Sequence, residues 1–178
     1  MMIEIESKSW VSGCLARWRE ARDPEALGQL LKWQRVRAYS IARRILGNGE
    51  DAEDVVQQAF LKVLSRERGF ENEEAFRVTV YRAVVQCALD LVRARRSRSD
   101  REESMNDFNQ IPEHTPRNLA EQAEAQRLLQ DELDRLDAAD RAMLALCVQE
   151  GVDLTASATI LGTPRETLRD RLARTLTM

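Results

Sequence analysis

The chain has 178 residues, of which 43% are hydrophobic, 32% charged and 5% aromatic, with 7 glycines and 4 prolines. This composition is typical of a helix-rich globular protein, and it excludes a β-sandwich, a disulfide scaffold and a disordered chain. The length allows one medium domain or two small ones, and the formal net charge of −3 provides no overall basic field.

The charges are nevertheless clustered along the chain. Arginines concentrate at 35–44, 93–98 and 165–174, and acidic residues at 50–54, 71–74 and 131–140. Such alternation suits a protein that meets DNA on some faces and a basic protein surface on another. It suits equally well ordinary solvated helix faces joined by salt bridges.

Neither a metal nor a cofactor is predicted. Cys14, Cys87 and Cys147 lie among apolar neighbours without metal or redox spacing, and His114 has no second ligand nearby in the sequence. We therefore expect buried thiols in a reducing compartment. The segment 1–10 does not resemble a signal peptide, and no apolar run reaches the roughly 18 residues of a membrane span. These features predict a cytoplasmic protein.

Apolar residues at helical spacing predict the first two helices. The first covers Ser9 to Arg22. Asp23 and Pro24 then have the pattern of an N-cap followed by a first-turn proline. The second helix continues from there until Gly47, which stops it.

A third helix is predicted directly after this stop, with Asn48 or Gly49 as its cap. Its first turns are strongly acidic, which the positive end of the helix dipole favours. A fourth, longer helix is predicted from about Glu73 to Arg96.

The apolar period disappears from Ser97 to Pro116 and returns at Leu119, which predicts a linker. Further helices are expected over Ala138 to Glu150, over 154–161 and over the last segment. The fold class is therefore predicted to be all-α, with two small helical domains, 1–96 and 119–178, joined by a flexible linker, 97–118.

The last segment has the pattern of a helix-turn-helix. Gly162 gives the turn, Thr163 the N-cap and Pro164 the first helical position. Leucines at 168, 172 and 176 would pack inward. The outward face of the final helix would read base edges and hold phosphates, and it carries Arg165, Glu166, Arg169, Asp170, Arg171 and Arg174. A plain helical hairpin with the ion pairs Glu166–Arg169 and Asp170–Arg174 is the alternative interpretation.

The long fourth helix has a polar face opposite its predicted core stripe. This outer face of the fourth helix carries Arg77, Tyr81, Arg82, Gln86, Asp90, Arg93 and Arg96. Arginines neutralise phosphates and a tyrosine can stack on a base, as single-stranded or partly melted DNA requires. A solvated helix end with arginines near the negative end of the dipole is the alternative.

A contiguous strip runs along the outward side of the third helix. Its members Asp54, Gln57, Gln58 and Leu61 follow the spacing i, i+3, i+4, i+7. Carboxylate, paired amides and an exposed leucine predict a docking surface for a partner with basic side chains. A solvated face of good helix formers is the alternative.

Catalysis is not predicted. The sequence has no glycine-rich phosphate loop, no metal-ligand spacing and no nucleophile elbow. Asp51 and Asp54 have the chemistry to hold Mg²⁺, but no nucleophile or general base lies near them. We therefore expect neither an enzyme nor a small-molecule substrate.

Three stretches together resemble the extracytoplasmic-function (ECF) sigma factors of bacterial RNA polymerase, which retain only the second and fourth sigma domains. They are DAEDVVQQAFLKVL, AFRVTVYRAVVQCALDLVRARR and LDAADRAMLALCVQEGVDLTASATILGTPRETLRDRLAR. The resemblance covers nearly the whole chain from about Asp23, and the first stretch is the most specific. It implies a sigma factor that binds core polymerase and directs promoter-specific initiation.

The resemblance also implies roles for individual residues. Asp51, Asp54, Gln57, Gln58 and Leu61 would contact the clamp helices of the largest polymerase subunit. The outer face of the fourth helix would melt and read the minus-ten element, with the loop around Phe70 helping to hold a flipped base. The final helix, with Thr163 at its start, would read the minus-thirty-five element. Further implied partners are the flap of the second polymerase subunit and an anti-sigma factor.

The chain departs from the family pattern at several positions. Thr79 stands where the family usually has a tryptophan, and Val85 and Gln86 stand where it has arginine and asparagine. Ser157 occupies a core position, and Asp170 replaces a common serine. These departures leave two alternatives: a sigma-like protein that binds polymerase or an anti-sigma factor without opening promoters, and an unrelated helix-turn-helix regulator.

Overall fold

The computed structural model describes residues 2–66, 69–102 and 136–177. Within these ranges the chain forms seven α-helices, one π-helical turn and no strand. The helices are α1 (Met2–Ala21), α2 (Pro24–Leu46), α3 (Gly49–Leu64), α4 (Glu73–Glu102), α5 (Ala138–Leu144), α6 (Leu154–Leu161) and α7 (Arg165–Thr175), and the π-helical turn covers Ala145–Gln149. The predicted all-α class is confirmed. Most of the predicted linker, and the start at Leu119 of the returning apolar period, lie outside the described residues.

The caps between α1 and α3 follow the prediction. The Asp23 carboxylate accepts hydrogen bonds from the backbone N–H groups of Glu25 and Ala26, at 2.9 and 3.3 Å. Gly47 ends α2 with a φ of 75°, a left-handed conformation that favours glycine. The Asn48 side chain then caps α3 by accepting from the N–H of Asp51 at 3.2 Å.

Helices α1 to α4 are called the amino-terminal unit below. In this unit α2, α3 and α4 pack against one another, and α1 packs against α2. Gln34 lies in the buried stripe of α2, as its spacing predicts. The ring of Phe76 is fully buried and meets the ring of Phe70 edge to face, with centroids 5.0 Å apart.

Two helix boundaries differ from the prediction. Helix α1 begins at Met2 rather than Ser9, and α4 continues to Glu102 rather than ending near Arg96. The segment 97–102 contains neither glycine nor proline, so nothing in it breaks a helix. Loss of the apolar period therefore marks the point where α4 no longer faces a core. Within the described part of the chain, no helix is long and apolar enough to cross a membrane.

Helices α5 to α7 are called the carboxyl-terminal unit below. Two of them, α5 and α6, start from an aspartate cap. Asp137 accepts from the N–H of Asp140 at 2.7 Å, and Asp153 accepts from the N–H of Thr155 at 2.8 Å. The helix predicted to run from Ala138 to Glu150 changes into the π-helical turn after α5. A Glu150 N–H bond to the Ala145 carbonyl, at 3.0 Å, closes this wider turn.

The start of α7 also corrects the prediction by one residue. Pro164 is the N-cap, with extended backbone (ψ 140°), and α7 begins at Arg165 without a side-chain cap. Thr163, predicted to be the N-cap, lies in the turn instead. Its N–H donates to the Ala158 carbonyl, directly after Gly162, whose backbone is left-handed. Of the three leucines expected to pack inward, the one at 168 is buried and the one at 172 half-buried. Leu176, one residue past the helix end, is 62% exposed.

The two units share one apolar core. From the carboxyl-terminal unit, the cluster that includes the buried side chains of α1 to α4 also contains Ala142, Ala145, Leu146, Val152 and Ile160. A second, smaller cluster belongs to the carboxyl-terminal unit alone and has three buried members, Met143, Ala158 and Leu168. Five buried apolar side chains of this unit thus belong to the shared core and three to the unit's own cluster.

Candidate functional site

The strip predicted on α3 is exposed. Asp54, Gln57, Gln58 and Leu61 all face solvent, and Leu61 is 66% exposed. The opposite face of α3 is held in the core by Val55, Val56, Ala59 and Val63. The structure therefore brings these four predicted residues together on one accessible surface, called the docking strip below. An exposed leucine beside a carboxylate and two amides is suited to bind a protein surface.

Asp51, the fifth residue of the predicted polymerase contact, lies differently. Its carboxylate accepts a two-pronged hydrogen bond from the Arg95 guanidinium and a further bond from the Asn48 amide at 2.7 Å. The side chain is only 16% exposed. Asp51 therefore ties the start of α3 to the carboxyl-terminal part of α4.

The outer face of α4 is split into an exposed and a covered half. Gln86, Asp90, Arg93 and Arg96 are exposed, and Arg93 pairs with Asp90 at 2.8 Å. Arg77, one turn before Tyr81, is half-buried. The predicted minus-ten residues of this face thus lie along one helix, but only those toward its carboxyl end are freely accessible.

Tyr81 corrects the expectation of a free aromatic side chain. It is 1% exposed, and its hydroxyl donates to the Glu150 carboxylate of the carboxyl-terminal unit at 3.3 Å. The Arg37 guanidinium lies 4.0 Å from the same carboxylate. Phe70 is also buried, because its ring packs on Phe76. Neither aromatic ring is free to stack on a base in this conformation.

Burial, followed by the nearby Glu150 carboxylate, raises the pKa of the Tyr81 phenol. Because the folded chain favours the neutral phenol, its contribution to stability is complete below the unfolded pKa of about 10 and is lost as pH rises through the folded pKa. We expect a late component in the tyrosinate absorbance titration. Tyr81→Phe should remove this component, and Tyr39→Phe should leave it; a late component that survives in Tyr81→Phe would contradict this assignment.

Helix α6 covers the part of α4 around Arg82 and Val85. The Arg82 guanidinium donates to the Thr159 carbonyl at 2.8 Å, and Val85 is 1% exposed in the shared core. Beside them lies a cavity of about 530 Å³ between the two units. Its walls include Gln86, Asp90 and Arg93 from α4 and Gly162 from the turn after α6.

On α7 the predicted base-reading residues face solvent. Arg165, Glu166, Arg169 and Arg174 are exposed, as is Asp170. The local contacts differ from the ion pairs of the alternative interpretation: Arg169 pairs with its neighbour Asp170 at 3.3 Å, and Arg174 donates to the backbone carbonyl of residue 170 at 3.3 Å.

Two further residues of this region have internal partners. Arg171, predicted to hold a phosphate, pairs with Asp140 at 2.7 Å and with Asp137 at 3.1 Å, which joins α7 to the start of α5. Thr163 is half-buried in the turn. Accordingly, five of the predicted minus-thirty-five residues form an open surface, and Arg171 serves the packing of the unit.

The departures at Ser157 and Thr79 are accommodated locally. The buried Ser157 hydroxyl donates to the Val152 carbonyl at 3.3 Å, so its polar group is not left unpaired. The Thr79 hydroxyl donates to the Ala75 carbonyl one turn earlier, at 2.7 Å. Neither side chain disrupts the helix that carries it.

Sequence reasoning missed the residues that join the two units. Glu150, Arg37 and Arg141 lie at this junction, where Arg141 donates to the Ile45 carbonyl at 2.9 Å. Helix periodicity cannot identify them, because they are polar residues paired across a long sequence separation. The available signal is Val85, an apolar residue at a position where the resemblance implies an arginine.

Comparison with known proteins identifies relatives of this chain. The family described as Sigma-70 region 2 matches residues 34–98, which include α3 and most of α2 and α4. The ECF RNA polymerase sigma factor SigE of Mycolicibacterium smegmatis is 30% identical over 148 residues, covering 82% of this chain and 57% of that protein. The chain thus spans little more than half the length of that relative.

Two other comparisons cover more of the related protein. The ECF sigma factor SigM of Mycobacterium tuberculosis is 27% identical over 86% of this chain and 75% of its own length. The solved structure of CnrH in complex with the cytosolic domain of CnrY matches with a TM-score of 0.64 and 20% identity, covering 96% of this chain and 92% of that one. This last likeness concerns the fold.

Proposed function

Since the chain belongs to the ECF sigma factors of bacterial RNA polymerase, which direct transcription initiation, we propose that it binds core polymerase and guides it to a specific set of promoters. The observation that carries this proposal is the docking strip. Asp54, Gln57, Gln58 and Leu61 lie within the region that matches Sigma-70 region 2, and all four are exposed on one side of α3. They would contact the clamp helices of the largest polymerase subunit.

Promoter DNA would be read by two surfaces. The outer face of α4 would meet the minus-ten element, and its exposed arginines Arg93 and Arg96 would neutralise phosphates. The exposed start of α7 would read the minus-thirty-five element through Arg165, Glu166 and Arg169. The amino-terminal and carboxyl-terminal units would then act as separate domains on polymerase, joined through the intervening segment.

Additional partners follow from the same assignment. The carboxyl-terminal unit would contact the flap of the second polymerase subunit. The structural neighbour CnrH was solved with the cytosolic domain of CnrY, which supports an anti-sigma factor as a partner of this chain as well. A cytoplasmic location and the absence of an enzymatic activity belong to the same proposal.

Run-off transcription tests the proposal. Purified chain is added to core polymerase with fragments of the host genome, including the region upstream of its own reading frame. We expect transcripts from a small set of fragments that core polymerase alone does not produce. Binding to core without a transcript from any fragment would instead indicate a sigma-like protein that cannot open promoters, and failure to bind core would contradict the proposed function altogether.

Arg169→Ala tests the minus-thirty-five assignment. The guanidinium is exposed near the start of α7, where a recognition helix meets base edges. Its loss should weaken binding of the upstream element by about 1–3 kcal/mol at one base position. Affinity for a series of single-base variants, measured with polymerase holoenzyme, checks this result, and a uniform loss across all sequences would make Arg169 a phosphate contact.

A further inference from the structure

We propose that Arg95 is a positioning residue for polymerase docking: its guanidinium holds the Asp51 carboxylate and thereby fixes the start of α3, the helix that carries the docking strip. Asp51 acts through Arg95 and does not touch polymerase, in contrast to the role that the resemblance implies for it. This inference rests on the proposed polymerase contact of the docking strip.

The Asp51 carboxylate has internal partners on both of its oxygens. Its Oδ1 accepts a hydrogen bond from Nη2 of Arg95 at 2.5 Å, and its Oδ2 accepts from Nη1 of Arg95 and from the Asn48 amide, the latter at 2.7 Å. A fork of this kind is among the stronger hydrogen-bonded ion pairs in proteins. A basic side chain of polymerase would have to displace Arg95 to reach Asp51, whereas Asp54 is exposed and open to contact.

The turn between α2 and α3 is held from two sides. From α2, the Arg43 guanidinium donates to the Gly47 carbonyl. The Tyr39 hydroxyl lies close to Gly49, where an added Cβ atom would be 3.1 Å from its oxygen. From α4, Arg95 reaches the first turn of α3. The start of α3 therefore has little freedom to shift while the Arg95 fork is in place.

Arg95 lies where α4 leaves the core. Ala88 is the last buried side chain among those that the structure describes in α4. Arg95 follows in the exposed part of the helix, yet it meets Asp51, 44 residues earlier in the chain. Because the packed part of α4 ends before this point, the ion pair sets the spacing of the two helices here.

The arginine cluster at 93–98 is thereby divided between two tasks. Arg93 and Arg96 are exposed, and Arg93 pairs with Asp90 of its own helix at 2.8 Å. These two remain available for promoter phosphates. The Arg95 guanidinium is instead committed to α3, so the same segment of α4 serves both the DNA surface and the polymerase surface.

Arg95→Gln tests the proposal against a matched control, Arg17→Gln. The control breaks a similar ion pair at the start of another helix, because Arg17 donates to Asp23, the cap of α2, at 2.9 and 2.5 Å. The two arginine side chains are 48% and 51% exposed, and their aspartates 16% and 24%. Both substitutions remove one charge and one contact to a helix start, but Arg95→Gln alone acts on α3.

We expect Arg95→Gln to weaken binding to purified core polymerase by about tenfold, a usual size for coupling between two sites, and Arg17→Gln to leave it unchanged. Fluorescence anisotropy measures this affinity. Circular dichroism should show both variants folded, because α3 keeps its Asn48 cap and α2 its Asp23 cap. Hydrogen–deuterium exchange of the free chain should quicken at the first turn of α3 in Arg95→Gln and not in the control.

An exchange of the two residues separates positioning from direct contact. Asp51→Arg alone places two guanidinium groups together and should weaken core binding at least as much as Arg95→Gln. Asp51→Arg with Arg95→Asp restores an ion pair of reversed polarity at unchanged net charge, and should return the affinity to within about threefold of the wild type. If either residue touched polymerase directly, the exchanged chain would bind as weakly as Asp51→Arg alone.

Two outcomes would overturn the inference: Arg95→Gln binding core as tightly as Arg17→Gln, or an exchanged chain that binds no better than Asp51→Arg alone. The wild-type chain and the variant Asp54→Arg with Gln58→Ala separate these results from failure of the proposed function. Where the wild type binds core and that variant does not, the positioning role of Arg95 alone is refuted. A wild-type chain that does not bind core refutes the proposed function, and this inference with it.

Discussion

Asp54→Arg combined with Gln58→Ala is expected to abolish binding to core RNA polymerase. Both side chains are exposed on consecutive turns of α3, and neither takes part in the buried face of that helix. The change reverses a charge and removes an amide at the surface that would face basic side chains of the clamp. Truncating or reversing a contact of this kind typically costs 2–5 kcal/mol or more, which lowers affinity by about two to four orders of magnitude.

The measurement is fluorescence anisotropy or surface plasmon resonance with purified core enzyme, alongside far-ultraviolet circular dichroism. Glu20→Arg on α1 is the control, since it makes the same change in charge at another exposed site. We expect the control to bind core normally and both variants to keep their helical signal. Unchanged affinity in the double variant would show that the docking strip is not the polymerase contact.

Phe76→Ala is expected to lower the free energy of unfolding by about 3–5 kcal/mol, the usual range for removal of a buried aromatic ring. Phe76 is fully buried near the start of α4, and its ring supports that of Phe70 at a centroid distance of 5.0 Å. The substitution leaves a cavity and removes one partner of this pair. A loss of this size is a large share of the stability of a small protein.

Urea denaturation followed by circular dichroism provides the measurement. Phe60→Ala is the matched control, because this ring lies at the edge of the core and is only partly buried. Its removal should cost clearly less. Equal losses for the two substitutions would mean that Phe76 does not occupy the centre of the core.

The sequence predicts local structure well where one interaction decides it. Residue type and position indicate Asp23 and Gly47 as caps and Asn48 as one of two candidates, and each forms the expected contact or backbone angle. The docking strip was predicted from helical spacing, and its members are exposed together. Both kinds of inference depend on residues within a few positions of one another.

The predictions from sequence are wrong where long-range packing decides which side chains are buried. Helical spacing predicts one buried stripe on α4, but α4 has two, because Glu150 meets Tyr81 and α6 packs near Val85 on a second side. The pairing of Glu150 with a tyrosine 69 residues away leaves no periodic signal. At Pro164 the error was local, since a proline with extended backbone can precede a helix as well as begin it.

The small independent core of the carboxyl-terminal unit has a consequence for biosynthesis. Translation completes the amino-terminal unit first, so the described residues up to Glu102 can collapse while the rest of the chain is still being made. The segment 136–177, with Met143, Ala158 and Leu168 as its own buried cluster, then reaches a preformed apolar surface on α2 and α4. Docking of this segment would then shield that surface from aggregation and proteolysis.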